Sequence, residues 1–221
     1  MFDHNLSKEG NALVLRTGRR NHFYGVGKRL IDIVLVIVGA PLALPIVLVL
    51  AIMVRLDGGT AFYLQPRVGK NGRIFKLWKF RSMVPDAEQA LDTYLAGDAA
   101  ARAEWDAHQK LRHDPRLTSI GAFIRRYSLD ELPQLWNVLI GDMSLVGPRP
   151  MLPNQRPLYP GTAYYDLRPG ITGLWQISQR NSCTFAERAT YDNRYAQSIS
   201  AMTDLMILFR TVGVVFRGTG C

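Results

Sequence analysis

From Ile33 to Val54 the chain runs for 22 residues without a charge. As a helix this run would be roughly 33 Å long, close to the hydrocarbon thickness of a bilayer. It starts too late, runs too long and lacks the small-residue cleavage site of a secretory signal. Pro41 and Pro45 sit inside it, and each removes a backbone donor and clashes with the preceding turn, so a break near Pro45 is expected. Basic residues flank both ends: Arg16, Arg19, Arg20, Lys28 and Arg29 before, Arg55, Arg67, Lys70, Arg73, Lys76, Lys79 and Arg81 after. Cationic flanks favour the cytoplasmic side, so both ends point to the same side. A re-entrant hairpin that dips into one leaflet satisfies both observations; a single membrane-spanning anchor is the simpler alternative. Residues 1–27, polar and punctuated by glycine, are expected to be mobile.

After Gly58-Gly59 the pattern changes. Phe62-Tyr63-Leu64 and Arg73-Ile-Phe-Lys-Leu-Trp78 read as strands, the second by its period of two, around Gly69-Lys-Asn-Gly72 with its hairpin-turn chemistry. Pro85 to about Gln109 is a good helix former interrupted at Gly97, rich in alanine and acid, and is expected to be solvated. Leu117 to Arg126 reads as a helix with Ile120, Phe123, Ile124 and Tyr127 apolar. Pro148 to Gly173 is dense in proline and glycine, hence loop. Ile199 to Phe216 is helical, with Met202, Met206, Phe209, Gly213 and Phe216 three or four apart. That leaves open whether it packs in the core or lies on a membrane surface.

The 221 residues suffice for one domain with a real core. The expected division is a segment 1–27, a re-entrant membrane helix over 28–57 and a cytoplasmic domain over 58–221, which holds the candidate chemistry. The fold class is α/β, mainly α with short strands, with amphipathic helices at the membrane surface. A net charge of +9 favours an anionic partner such as nucleic acid, acidic lipid or a phosphorylated substrate. Cys183 and Cys221 are the only cysteines, so neither a disulfide framework nor a zinc site is implied. Four scattered histidines offer no ligand spacing, and P-loop, dinucleotide and nucleophile-elbow motifs are absent from the sequence.

The chemistry concentrates in two segments. Ser128-Leu-Asp130-Glu131-Leu-Pro133 puts two carboxylates side by side at the expected start of a helix. Ser128-x-x-Glu131 matches a capping box, which by itself accounts for Glu131. Pro133 suits only a first turn, so the helix start shifts toward Asp130. Either register leaves Asp130 in the first turn, where the helix dipole favours an anion by roughly 0.3–1 kcal/mol. Arg149, locked between Pro148 and Pro150, follows 19 residues after Asp130. An ionised carboxylate can attack phosphorus to give an acyl phosphate, and cations must neutralise the phosphoryl oxygens. The candidate cations are Lys79, Arg81, Arg149 and Arg168. Trp175, Gln176, Arg180 and Asn181 are placed to read a base and ribose, although each alone also fits core or loop.

Together these segments resemble the bacterial monotopic phosphoglycosyl transferases. The resemblance runs from about Lys28 to the C-terminus through Lys28-Arg29-x-x-Asp32, Gln65-x-Arg67-x-Gly69, Lys79-Phe-Arg-Ser-Met83, Asp114-Pro-Arg-Leu-Thr118, Ser128-Leu-Asp-Glu-Leu-Pro-Gln-Leu, Gly141-Asp-Met-Ser, Gly147-Pro-Arg-Pro150 and Arg168-Pro-Gly-Ile-Thr-Gly173. It departs where some relatives carry Ser-Pro and this chain has Leu44-Pro45. The resemblance implies Asp130 as nucleophile with Glu131 as partner, and Mg²⁺ held partly by Asp130. It implies phosphate and nucleotide contacts from Lys79, Arg81 and the Pro148-Arg149 loop, with Arg168 and Gln176 also in the substrate site. Trp175-Gln-Ile-Ser and Phe216-Arg-Gly-Thr-Gly most resemble the short exopolysaccharide enzymes. The expected donor is therefore a UDP-hexose, galactose or glucose, and the acceptor undecaprenyl phosphate. The expected partners are membrane lipids and no nucleic acid, on the cytoplasmic face of a bacterial inner membrane, with a homodimer left open. Two other classes compete. A non-catalytic membrane scaffold explains the hairpin but not the Asp130-Glu131 and Arg149 arrangement. A nucleic-acid binder explains the charge but not 22 uncharged residues.

Overall fold

The computed structural model describes residues 6–108, 111, 113–178 and 185–218, and for 6–24, 107 and 108 the backbone alone. Helix α1 (Leu6–Leu56) leads into an antiparallel hairpin of β1 (Phe62–Val68) and β2 (Ile74–Phe80), with Phe62 opposite Phe80 and Val68 opposite Ile74. The turn between them takes positive φ at Asn71 (56°) and Gly72 (73°). Asn-Gly tolerates that conformation better than other pairs, as the sequence predicted. Helices α2 (Ala87–Gly97) and α3 (Ala99–His108) are separated at Gly97 as expected. Asp98 starts the second by accepting from the backbone N–H groups of Ala100 and Ala101 at 2.8 and 3.0 Å. Leu95, Ala101 and Leu111 give this pair a small core of its own.

Helix α4 (Ser119–Arg126) is capped by Thr118, whose Oγ1 accepts from Gly121 N at 2.9 Å. A 3-10 turn over Leu129–Glu131 precedes α5 (Gln134–Ile140). The stretch Pro148 to Gly173, expected to be all loop, instead holds short α6 (Ala163–Asp166) and β4 (Gly170–Thr172), which pairs in parallel with β3 (Ser144–Val146) just before it. Short α7 (Leu174–Ile177), α8 (Arg188–Ser198) and α9 (Ala201–Phe216) complete the described chain. Glycine permits the β3–β4 junction: a Cβ on Gly147 would lie 2.3 Å from the Arg168 carbonyl oxygen, and one on Gly170 2.1 Å from Gly147 N.

Buried Asn137 on α5 ties these pieces to the hairpin. Its side chain accepts from Trp78 N at 3.0 Å and donates to the Lys76 carbonyl at 2.8 Å. Two arginines occupy the C-terminal carbonyls of α5. Arg29 donates to Val138 and Leu139, and Arg168 donates to Gly141 at 3.0 Å, where the helix dipole also favours cations.

Helix α1 runs on past both prolines without the interruption expected near Pro45. It also crosses the boundary expected at Lys28; residues 1–5 of the segment expected to be mobile lie outside the described residues. Its 32 residues Gly25–Leu56 are long and apolar enough to cross a membrane, and 11% of the apolar window is buried, far too little for a core helix. The two ends of this stretch nevertheless pack on the same body. Near the start, Lys28 pairs with Asp204, and Asp32 accepts from Leu145 N at 3.1 Å. Near the end, Leu50 and Val54 are buried with Phe80 and Ile124. Between them Val38 and Leu42 are 71% and 75% exposed.

Helix α9 answers the question its sequence left open. Asp204 and Ile207 face the core while Met202, Leu205, Phe209 and Phe216 project outward, Phe209 being 83% exposed. It is a covering helix with one core face and one bare apolar face.

Candidate active site

The carboxylate pair is not at the head of a helix in either register expected from the sequence. Ser128 adopts a left-handed backbone (φ 55°) and makes no side-chain cap. Its N–H closes α4 on the Arg125 carbonyl at 2.9 Å. Proline can stand no deeper than the first turn, so α5 begins after Pro133 and the two acids occupy the preceding 3-10 turn. This corrects both the capping-box reading and the placement of Asp130 at a helix dipole. The turn buries both acids, which are 5% and 8% exposed.

Cations from two other elements meet them. Lys79 on β2 lies 3.2 Å from Asp130 Oδ2 and 3.5 Å from Glu131 Oε1, and Arg149 Nη2 lies 3.0 Å from the same Glu131 oxygen. Arg149 has the most accessible side chain of the four, at 28%. Arg125, whose Nε donates to Ser82 Oγ at 2.9 Å, adds a further cation near Asp130. Burial lowers its pKa and the nearby Asp130 charge partly restores it. Buried charges are tolerated only when so paired.

The Pro148-Arg149-Pro150-Met151 backbone is held at every carbonyl. Gly170 N donates to Pro148 at 2.8 Å, Arg188 Nη2 to Arg149 at 2.8 Å, Arg67 Nη1 to Pro150 at 3.0 Å and Val68 N to Met151 at 3.0 Å. The stiffness expected from two prolines is thus reinforced by two buried guanidiniums. Arg188 also lies over the rings of Trp175 and Phe185, at 4.9 and 4.7 Å. Burial depresses the Arg67 pKa to about 10, assisted by the neighbouring Arg149 charge. Burial likewise lowers that of Arg188. Asp192 accepts from the Tyr159 hydroxyl at 2.7 Å. Burial pushes its carboxyl up to about 6, against the pull of that hydrogen bond and of Arg188.

A cleft of about 180 Å³ opens beside the pair, with Glu131 and Arg149 in its lining and aliphatic residues of the Leu129–Leu132 turn, α5, β4, α7 and α9 making up half of it. Gln176 lines it too; its Oε1 is buried without a hydrogen-bond partner and faces Gly173, where a Cβ would lie 2.9 Å away.

The structure therefore gathers Lys79, Asp130, Glu131 and Arg149, with Pro148 in the immobilised loop and Gln176 in the cleft wall. It gives Arg81 and Arg168 other partners. Arg81 Nη2 donates to the Val54 carbonyl at 3.0 Å and Arg168 binds the end of α5. Arg180 and Asn181 lie outside the described residues. Sequence reasoning passed over Arg125, Arg188 and Asp192 as site neighbours. Helix α8 carries no apolar stripe that would have marked the face on which Arg188 and Asp192 lie one turn apart.

Among the described residues no cluster of three or more metal-ligating side chains occurs. Two adjacent carboxylates still suit Mg²⁺, which commonly takes one or two carboxylates and completes its shell with substrate phosphates and water.

The described residues thus join a helix long and apolar enough to cross a membrane, a buried carboxylate pair met by Lys79 and Arg149, and an immobilised Pro-Arg-Pro loop. The chain belongs to the bacterial sugar transferase family, whose model matches residues 23–218. It is 48% identical over 195 residues to a UDP-galactose-lipid carrier transferase of Erwinia amylovora, covering 87% of this chain and 41% of that protein. It is 47% identical, over the same shares of each chain, to an undecaprenyl-phosphate galactose phosphotransferase of Salmonella typhimurium. Against the exopolysaccharide production protein ExoY of Rhizobium meliloti it is 42% identical, covering 92% of both chains. The chain thus spans well under half the length of the first two and nearly all of the third.

Proposed function

We propose that this protein transfers hexose 1-phosphate from a UDP-hexose to undecaprenyl phosphate, the initiating step of an exopolysaccharide repeat unit. The carrying observation is the buried Asp130–Glu131 pair flanked by Lys79 and Arg149, with Glu131 and Arg149 also lining a largely apolar cleft. Asp130 attacks the phosphorus bonded to the sugar. The bridging P–O bond to the second phosphate breaks and UMP departs, leaving an aspartyl phosphosugar. A phosphate oxygen of the lipid then attacks the same phosphorus, the bond to Asp130 breaks, and the carboxylate is restored. Splitting the transfer in two lowers each barrier. Lys79 and Arg149 neutralise the phosphoryl oxygens, and Glu131 orients the acceptor phosphate. Asp130 would share a Mg²⁺ ion with the diphosphate, and such an ion screens negative charge.

Helix α1 is read here as re-entrant, with the body on the cytoplasmic face of the inner membrane. Support comes from Lys28 and Asp32 at one end and Leu50 and Val54 at the other all contacting the same body. A perpendicular span would carry one end away from it. The relatives named for galactose transfer support a UDP-hexose donor.

The test is UMP release by purified protein with Mg²⁺ and undecaprenyl phosphate over a panel of UDP-sugars. Lipid-dependent turnover with one preferred sugar is expected, and Asp130→Asn should reduce it by at least about 10³-fold (some 4 kcal/mol) with circular dichroism unchanged. Appreciable turnover by that variant would sink the mechanism.

A further inference from the structure

The cleft beside Glu131 has an uneven chemistry. Its charged groups, Glu131 and Arg149, belong to the acid–cation cluster, and its remaining walls are largely aliphatic: Leu132 and Leu135 from the turn and α5, Val214 and Val215 from α9. The threonines that line it are already engaged. Thr211 donates to the Ile207 carbonyl at 2.7 Å and therefore accepts from the Thr172 hydroxyl at 2.7 Å. Gln176 turns its bare oxygen toward Gly173. A nucleoside or sugar needs several directed hydrogen bonds, and beyond Tyr127 and Ser128 these walls offer few. The α9 wall is the underside of a helix whose outer face is bare and apolar. The cleft is therefore covered by the element best suited to touch lipid.

We infer that this cleft takes the isoprenoid tail of the acceptor, its first units lying beneath α9 between Leu132, Leu135, Val214 and Val215 while its phosphate meets Arg149. The occupant is identified by complementarity: one anionic head for the partly accessible Arg149 guanidinium and one apolar chain for aliphatic walls. This rests on the proposed transfer reaction and adds where its second substrate sits. It also separates the substrates in space, since the donor diphosphate is left to the Lys79 and Asp130 side of the pair.

The experiment combines binding with half-reactions. A farnesyl phosphate bearing a diazirine on its tail is photolysed with the full-length protein in detergent, and the labelled peptides are mapped. Labelling of 211–215 and 132–135, competed by undecaprenyl phosphate and not by UDP-hexose, is expected. Label elsewhere, or competition by the nucleotide sugar, overturns the assignment. In parallel, Val214→Trp should raise the KM for undecaprenyl phosphate by about tenfold or more. Exchange of labelled UMP into UDP-hexose, which requires no lipid, should stay within about twofold. Val214→Ala serves as the folded control with exchange intact. Equal loss of exchange and transfer in Val214→Trp would mean that the cleft holds the donor, and an unchanged lipid KM would mean that it holds neither. Because labelling needs no turnover, correct labelling without turnover on any UDP-sugar would fault the donor reading alone. Turnover with label outside the cleft would fault this subsite alone.

Discussion

At the acid pair, Lys79 and Arg149 face carboxylates; along the Pro148–Pro150 backbone, Arg67 and Arg188 face carbonyl oxygens and, for Arg188, aromatic rings. The first arrangement pairs charge with charge and keeps Arg149 partly accessible. The second buries two guanidiniums at considerable desolvation cost, and what they secure is the position of a loop. The chain thus uses its arginines in two ways: one to meet an anion and two to hold the first still. A misplacement of about 1 Å can cost a reaction on the order of 10²-fold, which explains why such rigidity is worth the burial.

Three substitutions test that division of labour. Arg188→Met removes the donor to Arg149 O while retaining an unbranched apolar stem under Trp175 and Phe185. Leaving that carbonyl unpaired should cost about 1–3 kcal/mol of stability, and transfer should fall by roughly 10–100-fold, chiefly in kcat. Steady-state kinetics beside thermal melts decide the matter. A stability loss with unaltered kcat would reduce Arg188 to a structural part.

Asp192→Asn probes the same block through pH. The folded-state pKa of this carboxyl, about 6, stands above its ordinary 3.8. Between those values the folded protein holds the extra proton, so stability from this group is complete below 3.8 and is lost as pH rises toward 6. Melts at pH 4.5 and 7 should therefore differ less in Asp192→Asn than in the parent. An identical pH slope would show that the group titrates normally.

Arg81→Gln should have the smallest effect. Weakening the cap on the Val54 carbonyl is expected to cost about 0.5–1.5 kcal/mol and to leave the KM for UDP-hexose within about twofold. A tenfold rise would return Arg81 to the substrate site, where its neighbourhood with Lys79 in the sequence had placed it.

Much of this was legible because it depends on local chemistry. The apolar run, the Asn-Gly hairpin, the break at Gly97 and the amphipathic last helix each follow from composition over a few residues. The association of Asp130, Glu131, Lys79 and Arg149 did not follow from local composition; it came from resemblance and charge logic together. The 3-10 turn was missed because two local signals competed: Ser128-x-x-Glu131 favours a cap, whereas Pro133 forbids the helix behind it. Strand β4 was hidden in a stretch that proline and glycine made look like loop, and the glycines at its junction with β3 turned out to serve close backbone approach. Arg168 and Arg81 were read as phosphate ligands because helix C-termini, the partners they actually take, cannot be seen before the helices are assembled. The prolines of α1 predicted a break, yet the helix continues past both.

The attachment of α1 has one more consequence. Lys28, Arg29 and Asp32 bolt the turns of α1 just before the apolar run to Asp204, the end of α5 and Leu145, and the uncharged run starts at the very next residue. On the membrane reading, those three side chains draw a waterline on the molecule. They fix the height at which Asp130 floats above the oily phase, much as a keel sets the draught of a hull. On the proposed reaction, a long lipid substrate would then need no lifting from its leaflet, because the chemistry would be moored at the level where its phosphate rests.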